Sequence, residues 1–262
     1  MPTLQPHEAR QMAESFGTDA ARYDRARPAY PEDLITRIVT ESPGRAVLAV
    51  GCGTGIEARQ LQAAGCTVLG VEPDERMAAF ARSSGVPVEV ATFETWAADG
   101  RLFDAAVAGQ SWHWIDPLAG AAKAASVLRP GGLFAAFWHV FNPPAAVGDA
   151  FAEAYHRVVP DAPVDLRAAR QGSPYGALLT KAGKAFGGTG AFTEPELWQY
   201  EWTRTYTRDE WLDQLPTQGT LTRLPPEKLT EILTAVGAAI DKMGGTIETN
   251  FTTITLATKR TA

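Results

Sequence analysis

A short apolar run that leads into a glycine-rich turn is the feature that most constrains this chain. Residues Val47–Val50 are followed by glycine at positions 51, 53 and 55, and a helix can begin at Ile56. A four-residue apolar run is typical of a strand buried on both faces of a parallel sheet. Glycine lets the turn bend and lets a ligand approach the backbone, and the start of a helix has unpaired N–H groups. The segment therefore predicts a ligand site.

A second apolar run, Val68–Val71, ends in the carboxylate of Glu72. Glu72 lies about one strand–helix–strand unit after the glycines. In nucleotide-binding folds an acidic side chain at this position accepts hydrogen bonds from ribose hydroxyls. The two runs together predict a site for a nucleoside cofactor.

The first half of the chain alternates between strand and helix patterns. We predict strands over 46–50, 66–71, 87–91, 103–108 and 133–139, and helices over 31–41, 56–64, 74–83, 94–98 and 117–128. This alternation implies right-handed crossovers and a parallel sheet covered by helices on both faces. The class is therefore α/β.

After about residue 140 the pattern changes. Two further strands are predicted over 197–207 and 250–258, which gives seven in all, and the helical segment between them favours an antiparallel pair at one sheet edge. Further helices are predicted near 146–158, 165–171, 174–186, 209–215 and 225–242.

We expect one domain over residues 1–262. Residues 31–140 form its cofactor-binding core, 141–196 a mainly helical cap insertion, and 197–262 the strands and helices that complete the sheet. Residues 1–30 form an N-terminal arm rich in aromatic and arginine side chains. The arm either packs its aromatic side chains on the domain or acts as a lid in which Tyr23 and Arg27 face the ligand.

Composition narrows the classes of partner. A net charge of −6 disfavours a broad phosphate-binding surface, so nucleic acid is not the expected partner. Cys52 and Cys66 form no metal-ligand pattern, and no apolar run is long enough to predict a membrane span. We expect a cytoplasmic protein, a monomer or homodimer, that acts on a small molecule and holds no metal.

The details of the glycine turn select among nucleotide ligands. The dinucleotide pattern G-x-G-x-x-G needs glycine where Ile56 stands, and the phosphate-binding loop needs a lysine that is absent here. The turn also has no nearby basic residue to balance a pyrophosphate. A ligand with a ribose and an adenine but no phosphates fits better, and a nicotinamide-dependent dehydrogenase is the less favoured alternative.

Several motifs occur in order between about residues 16 and 140. They are Val47–Gly55, Val71–Asp74 with Met77, Ala91–Glu94, Phe103–Asp104 through Trp114, and Leu128–Gly132. In this order and spacing they resemble the class I S-adenosylmethionine-dependent methyltransferases, in the small-molecule branch that includes ubiquinone-biosynthesis and trans-aconitate-type enzymes.

The resemblance implies a Rossmann-like, doubly wound sheet, mostly parallel with an antiparallel edge pair. It also implies direct transfer of a methyl group from S-adenosylmethionine to an O, N or C atom of a small molecule, which leaves S-adenosylhomocysteine. The glycines would admit the methionyl-ribose portion, Glu72 would bind both ribose hydroxyls, and Met77 would pack on the adenine. The implied cofactor-binding residues are Tyr23, Arg27, Gly51, Cys52, Gly53, Thr54, Gly55, Glu72, Pro73, Met77, Thr92, Phe93, Glu94 and Gln110.

One residue departs from the family pattern. The family usually has an acidic residue two positions before the first glycine, where it helps to hold the methionine ammonium, and this chain has Ala49. The departure keeps open an alternative function, in which the protein binds S-adenosylmethionine or S-adenosylhomocysteine with altered or no methyl transfer.

Aromatic and histidine side chains follow the later strands, where the acceptor would lie. Trp112, Trp114 and Trp138 are candidate pocket residues that could exclude water, although burial in the core is an alternative for each. His113 and His139 are candidate general bases for a hydroxyl or amine acceptor, or else structural residues. A carboxylate acceptor would need no base.

Overall fold

A computed structural model describes residues 15–160, 176–219 and 221–262 of the chain. The helix predicted near 165–171 lies outside the described residues, as do the first two residues of the helix predicted near 174–186.

Seven strands form one sheet in the order β3-β2-β1-β4-β5-β7-β6. The strands are β1 Ala46–Val50, β2 Thr67–Glu72, β3 Val88–Val90, β4 Phe103–Gly109, β5 Leu128–Asn142, β6 Glu196–Thr207 and β7 Thr246–Lys259. The pairs among β1 to β5 are parallel, whereas β7 runs antiparallel to both β5 and β6. The predicted fold class, with its antiparallel edge pair, is confirmed.

Nine helices in the described ranges precede or connect these strands. They are α1 Ala20–Ala26, α2 Glu32–Glu41, α3 Ile56–Ala63, α4 Glu75–Ser83, α5 Pro117–Val127, α6 Ala145–Val158, α7 Gly176–Thr189, α8 Arg208–Gln214 and α9 Pro226–Asp241. Short 3₁₀ turns occur at Phe16–Asp19, Trp112–Trp114 and Leu215–Thr217. The start of α5 is capped by Asp116, whose carboxylate accepts from the backbone N–H groups of Leu118 at 3.0 Å and Ala119 at 2.8 Å.

The helix predicted over 94–98 is wrong. The backbone there forms a turn, in which the N–H of Trp96 donates to the carbonyl of Thr92 at 2.9 Å. Asp99 and Gly100 follow with φ angles of 51° and 77°, in the left-handed region that a right-handed helix cannot continue through. Trp96 is also drawn into the core, where its indole N–H donates to Glu89 at 2.6 Å.

The fifth and seventh strands are longer than predicted. β5 pairs with β7 from Leu133 to Asn142, so these two strands extend beyond the ends of the parallel strands. Apolar clusters cover the two faces of the parallel part, and a third cluster joins α6 and α9 to the far ends of β6 and β7. Within the described ranges, no helix combines the length and apolar character that a membrane span requires.

Candidate cofactor and acceptor site

A cavity of about 400 Å³ opens at the carboxyl ends of the parallel strands. In an open α/β sheet this edge is where ligands bind. Of the predicted site residues, the cavity wall includes Tyr23, Arg27, Gly51, Cys52, Gly53, Thr54, Glu72, Pro73, Met77, Thr92, Phe93, Glu94, Gln110, His113, Trp114 and His139. Gly55, Trp112 and Trp138 are not part of the wall.

The glycine turn after β1 needs its glycines for two reasons. Gly51, Gly53 and Gly55 have φ angles of 62°, 54° and 86°, which side chains other than glycine rarely adopt. A Cβ on Gly51 would also lie 2.6 Å from the Cβ of Ser111. Gly55 takes no part in the wall because it precedes α3 as its N-cap, packed toward Val86.

The backbone holds the carboxyl group of Glu72 from two sides. One oxygen accepts from the N–H of Gly53 at 2.8 Å and the other from the N–H of Asp74 at 3.0 Å. These bonds fix the group at the end of β2, where each oxygen keeps a further lone pair. Burial raises the pKa of Glu72 to about 7, although the two backbone bonds act to lower it.

Glu57, in the first turn of α3, is a second buried carboxyl on the cavity wall, and it was not among the predicted site residues. Its exposed fraction is 3%, and its Oε1 atom has no hydrogen-bond partner among the described residues. Burial raises the pKa of Glu57 to about 8, and the neighbouring Glu72 adds to the rise. A buried unpaired polar atom costs about 1–3 kcal/mol, so Glu57 is suited to a polar ligand.

Met77, Thr92 and Phe93 also lie on the wall, around the ends of β2 and β3. Met77 and Phe93 are buried, which gives this part of the cavity apolar surface of the kind that packs on a flat ring. Glu94 also accepts from the backbone N–H of Asp116 at 3.1 Å, so part of its hydrogen-bonding capacity is already used.

The N-terminal arm from Phe16 to Arg27 covers one side of the cavity. Asp24 pairs with Arg59 of α3 at 2.6 Å, and Arg22 pairs with Asp213 of α8 at 2.8 Å. Tyr23, whose pKa is raised by burial, lies on the wall under the Arg27 guanidinium, 4.9 Å from its ring centroid. The arm therefore both packs on the domain and contributes to the wall.

His113 lies on the wall after β4. The indole N–H of Trp138, which can only donate, bonds to its Nδ1 atom at 3.1 Å. A neutral His113 therefore carries its proton on Nε2, and burial lowers its pKa to about 4. This geometry argues against the predicted role of His113 as a general base.

His139, on β5, is buried and also lies on the wall. Its Nδ1 atom is 2.9 Å from the hydroxyl of Thr253, its ring stacks on Tyr30 at 4.6 Å, and its Nε2 atom has no partner among the described residues. Burial, with a smaller contribution from Arg27, lowers the pKa of His139 to about 3. The ring is therefore neutral in the physiological range.

The assignment of Trp112 and Trp138 to the pocket is corrected by the structure. Trp112 packs into the core against Phe134 and Phe186, at centroid distances of 4.5 and 5.6 Å. Trp138 is fully buried on β5, and its indole N–H donates to His113. Of the three, only Trp114 lies on the wall, because the tight 3₁₀ turn sends Trp112 and Trp114 to opposite sides.

Comparisons with known proteins agree with this geometry. Residues 48–136 match a family model described as a methyltransferase domain. An uncharacterized methyltransferase of Mycobacterium tuberculosis is 36% identical over 133 residues, 50% of this chain and 54% of the relative. A ubiquinone biosynthesis O-methyltransferase of Methylobacterium nodulans is 33% identical over 127 residues, 43% of this chain and 51% of the relative. The chain thus spans about half the length of these curated relatives.

A solved structure extends the likeness to most of the fold. It is that of a proposed type II methyltransferase from Anaeromyxobacter dehalogenans, with 27% sequence identity and a TM-score of 0.65. The match covers 88% of this chain and 97% of that one. The matched segment contains the glycine turn, Glu72 and the wall after β4, so residues 48–136 are similar to a methyltransferase domain, and the chain shares its fold with this solved methyltransferase structure.

Proposed function

We propose that this protein transfers a methyl group from S-adenosylmethionine to an O, N or C atom of a small-molecule acceptor by direct displacement. The observation that carries the proposal is the carboxyl group of Glu72, held in the cavity by the N–H groups of Gly53 and Asp74. An ionised carboxylate held in this way can accept from both ribose hydroxyls, at about 1.5–3 kcal/mol for each charge-assisted bond.

Other residues of the cavity wall would supply the remaining contacts to the cofactor. The glycine turn would lie against the methionyl-ribose portion, and Pro73 and Met77 against the adenine. Thr92, Phe93 and Glu94 would lie at the edge of the adenine, and Gln110 near the reacting methyl. Further contacts are proposed for Tyr23, Cys52 and Thr54.

Glu57 supplies a carboxyl group that the sequence motif lacks. Ala49 is fully buried in the core and is not part of the wall, whereas Glu57 lies on the wall with an unpaired oxygen. We propose that Glu57 binds the methionine ammonium of the cofactor. An ammonium supplies a positive charge and the hydrogen-bond donors that the unpaired carboxyl oxygen needs as partners.

Catalysis would come mainly from alignment of the acceptor atom, the methyl carbon and the sulfur. Positioning of this kind is worth roughly 7–11 kcal/mol. Aromatic side chains of the wall, such as Trp114 and Phe141, would exclude water and tolerate the sulfonium charge at about 0.5–2 kcal/mol. The small-molecule acceptor, a cytoplasmic location, a monomeric or dimeric state and the absence of a nucleic-acid partner stay predictions from the sequence.

Calorimetric titration with S-adenosylmethionine tests the cofactor. We expect one site per chain, loss of binding in Glu72→Ala, and unchanged binding in Glu75→Gln, which removes an exposed carboxylate that pairs with Arg82 on α4. Flat heats with folded wild-type protein would contradict the proposal.

The second candidate, a binding protein with altered or no transfer, is motivated by Ala49. Mass spectrometry distinguishes the two by following S-adenosylhomocysteine and methylated products in mixtures of metabolites. Product formed by the wild type and not by Glu72→Ala excludes the binding-only function, whereas tight binding without product from any mixture supports it.

A further inference from the structure

The two ends of the cavity differ in chemistry. The sheet order places β2 and β3 at one end of the parallel strands and β5 at the other, with β1 and β4 between them. Under the proposed function, on which this inference rests, the cofactor occupies the end with Glu72 and the glycine turn. The acceptor then lies at the β5 end, beside His139.

Two buried nitrogen atoms of basic side chains that line the cavity have no hydrogen-bond partner among the described residues. They are Nε of Arg27 and Nε2 of His139, and both side chains line the cavity. Arg27 lies close enough to His139 for its charge to lower the pKa of that ring. Its Nη2 donates to the carbonyl of Thr217 at 2.5 Å, and no carboxylate in the described ranges pairs with it.

The tautomer of His139 follows from its neighbours. The indole N–H of Trp202 donates to the hydroxyl oxygen of Thr253 at 2.9 Å. Thr253 is fully buried, so its own hydroxyl hydrogen also needs an acceptor, and Nδ1 of His139 is the acceptor within reach, at 2.9 Å. The proton of a neutral His139 is therefore on Nε2, which makes the unpartnered atom a donor.

His113 presents the same tautomer for a similar reason, since Trp138 occupies its Nδ1 atom. Both neutral rings line the cavity and carry their proton on Nε2. The opposite end carries the carboxyl groups of Glu57 and Glu72. The cavity thus combines these carboxyl groups with hydrogen-bond donors, of which His139 lies on β5 and Arg27 carries a positive charge.

We propose that the β5 end is an oxyanion subsite, in which Arg27 and His139 bind a carboxylate or similar oxygen anion of the methyl acceptor. Arg27 was first predicted to bind the cofactor, and its position beside His139 moves it to the acceptor. A guanidinium and neutral imidazole N–H groups match the lone pairs of a carboxylate. The same groups oppose an ammonium, so the subsite disfavours cationic amines.

The test uses the full chain, labelled with ¹⁵N-histidine and saturated with S-adenosylhomocysteine. Long-range ¹H–¹⁵N spectra report which ring nitrogen carries the proton. Acetate, hexanoate and benzoate serve as anionic probes, and ethylamine, hexylamine and benzylamine as cationic partners of similar shape. We expect the Nε2–H tautomer in both histidines, and shifts of the His139 signal with at least one carboxylate and with no amine.

Variants separate the roles of the arginine. Arg27→Gln should weaken the carboxylate response about tenfold or more, and Arg27→Lys should weaken it less because the charge is kept. The matched control is Arg204→Gln, whose guanidinium stacks on Tyr206 at 4.5 Å and is not part of the cavity wall. The control should leave the carboxylate response unchanged, and all three variants should keep the affinity for S-adenosylhomocysteine within a few-fold.

Several results would overturn the inference. They are an Nδ1–H tautomer in His139, an equal response to amines, no response to any carboxylate, or a loss of cofactor affinity in Arg27→Gln as large as the loss of carboxylate affinity. Failure of the wild type to bind S-adenosylhomocysteine would instead contradict the proposed function.

Discussion

Replacing Glu57 by glutamine should raise the free energy of unfolding relative to the wild type, and this difference should grow as the pH rises. The burial of Glu57 raises its pKa from 4.5 to about 8, so the folded protein disfavours its ionised form. A group with a raised folded-state pKa contributes stability that is fully present below the unfolded pKa and is lost as the pH rises through the folded value. The wild type should therefore lose stability between about pH 4.5 and pH 8.

The size of the stability change follows from the pKa shift of Glu57. At 1.36 kcal/mol per pKa unit, the contribution lost is about 3 kcal/mol at pH 7 and about 5 kcal/mol once Glu57 is ionised in both states. Glutamine has a similar shape and no charge, so Glu57→Gln removes this pH dependence. The stability difference between variant and wild type should be small near pH 5 and grow by several kcal/mol toward pH 8.

Urea unfolding of both proteins without cofactor, at about pH 5, 7 and 8, measures this difference. Glu75→Gln, which changes an exposed glutamate of α4, is the control and should show no comparable trend. A stability difference that is the same at all three pH values would refute the reasoning, because it would mean that Glu57 is ionised in the folded protein and has a partner.

Three further predictions follow from the same site. Binding of S-adenosylmethionine should release protons between about pH 6 and 8, because the ligand favours the ionised forms of the two buried carboxyl groups; calorimetry in buffers of different ionisation enthalpy measures the number released. Gly51→Ala should lower both stability and cofactor affinity because of its positive φ and the clash with Ser111, whereas Gly65→Ala, with positive φ but open space, should cost only about 1–2 kcal/mol of stability in thermal unfolding and leave affinity unchanged. With saturating S-adenosylmethionine, the rate of methyl transfer should show no acid limb from a histidine near pH 6.5, because burial lowers the pKa of His113 and His139 to about 4 and 3; a limb at that pH that disappears in His139→Gln would contradict this.

The sheet could be predicted from sequence because its signals are local. Each parallel strand is a short apolar run, and each crossover helix has a cap or a glycine at its end, so most bounds agree with the structure within two residues. The helix predicted over 94–98 failed because that short segment is shaped by Trp96, which packs on Phe103, a contact between segments that periodicity does not reveal.

Residues of the site could be predicted from the sequence only where they belong to a recognisable motif. Glu72 follows a strand at a fixed distance from the glycines, and the structure places it on the cavity wall as expected. Glu57 was missed because a glutamate in the first turn of a helix normally lies in solvent, where it complements the helix dipole. Tyr23 of the arm lies on the same wall, so the surroundings of Glu57 include a segment that local sequence does not connect with it. Its position two residues after the last glycine was the only signal.

The two buried carboxyl groups also give the protein a means to prefer substrate over product. S-adenosylmethionine and S-adenosylhomocysteine both carry an ammonium and a carboxylate, and only S-adenosylmethionine also carries a positive sulfonium. Burial raises the pKa of both Glu57 and Glu72, and the charge of Glu72 raises that of Glu57 further, so both are fully ionised only when enough positive charge lies beside them. Near pH 6, where both are largely protonated without ligand, the affinities for the two ligands should differ little.

Above about pH 8 the wild type should bind S-adenosylmethionine more tightly than the product, and Glu57→Gln should lose much of that preference. Dissociation constants of both ligands at the two pH values measure it, and a preference that does not change with pH would show that the sulfonium charge does not interact with these carboxyl groups. Once the methyl group has left, one positive charge is gone while both carboxylates remain. The transfer itself would therefore weaken the hold on the product and favour its release.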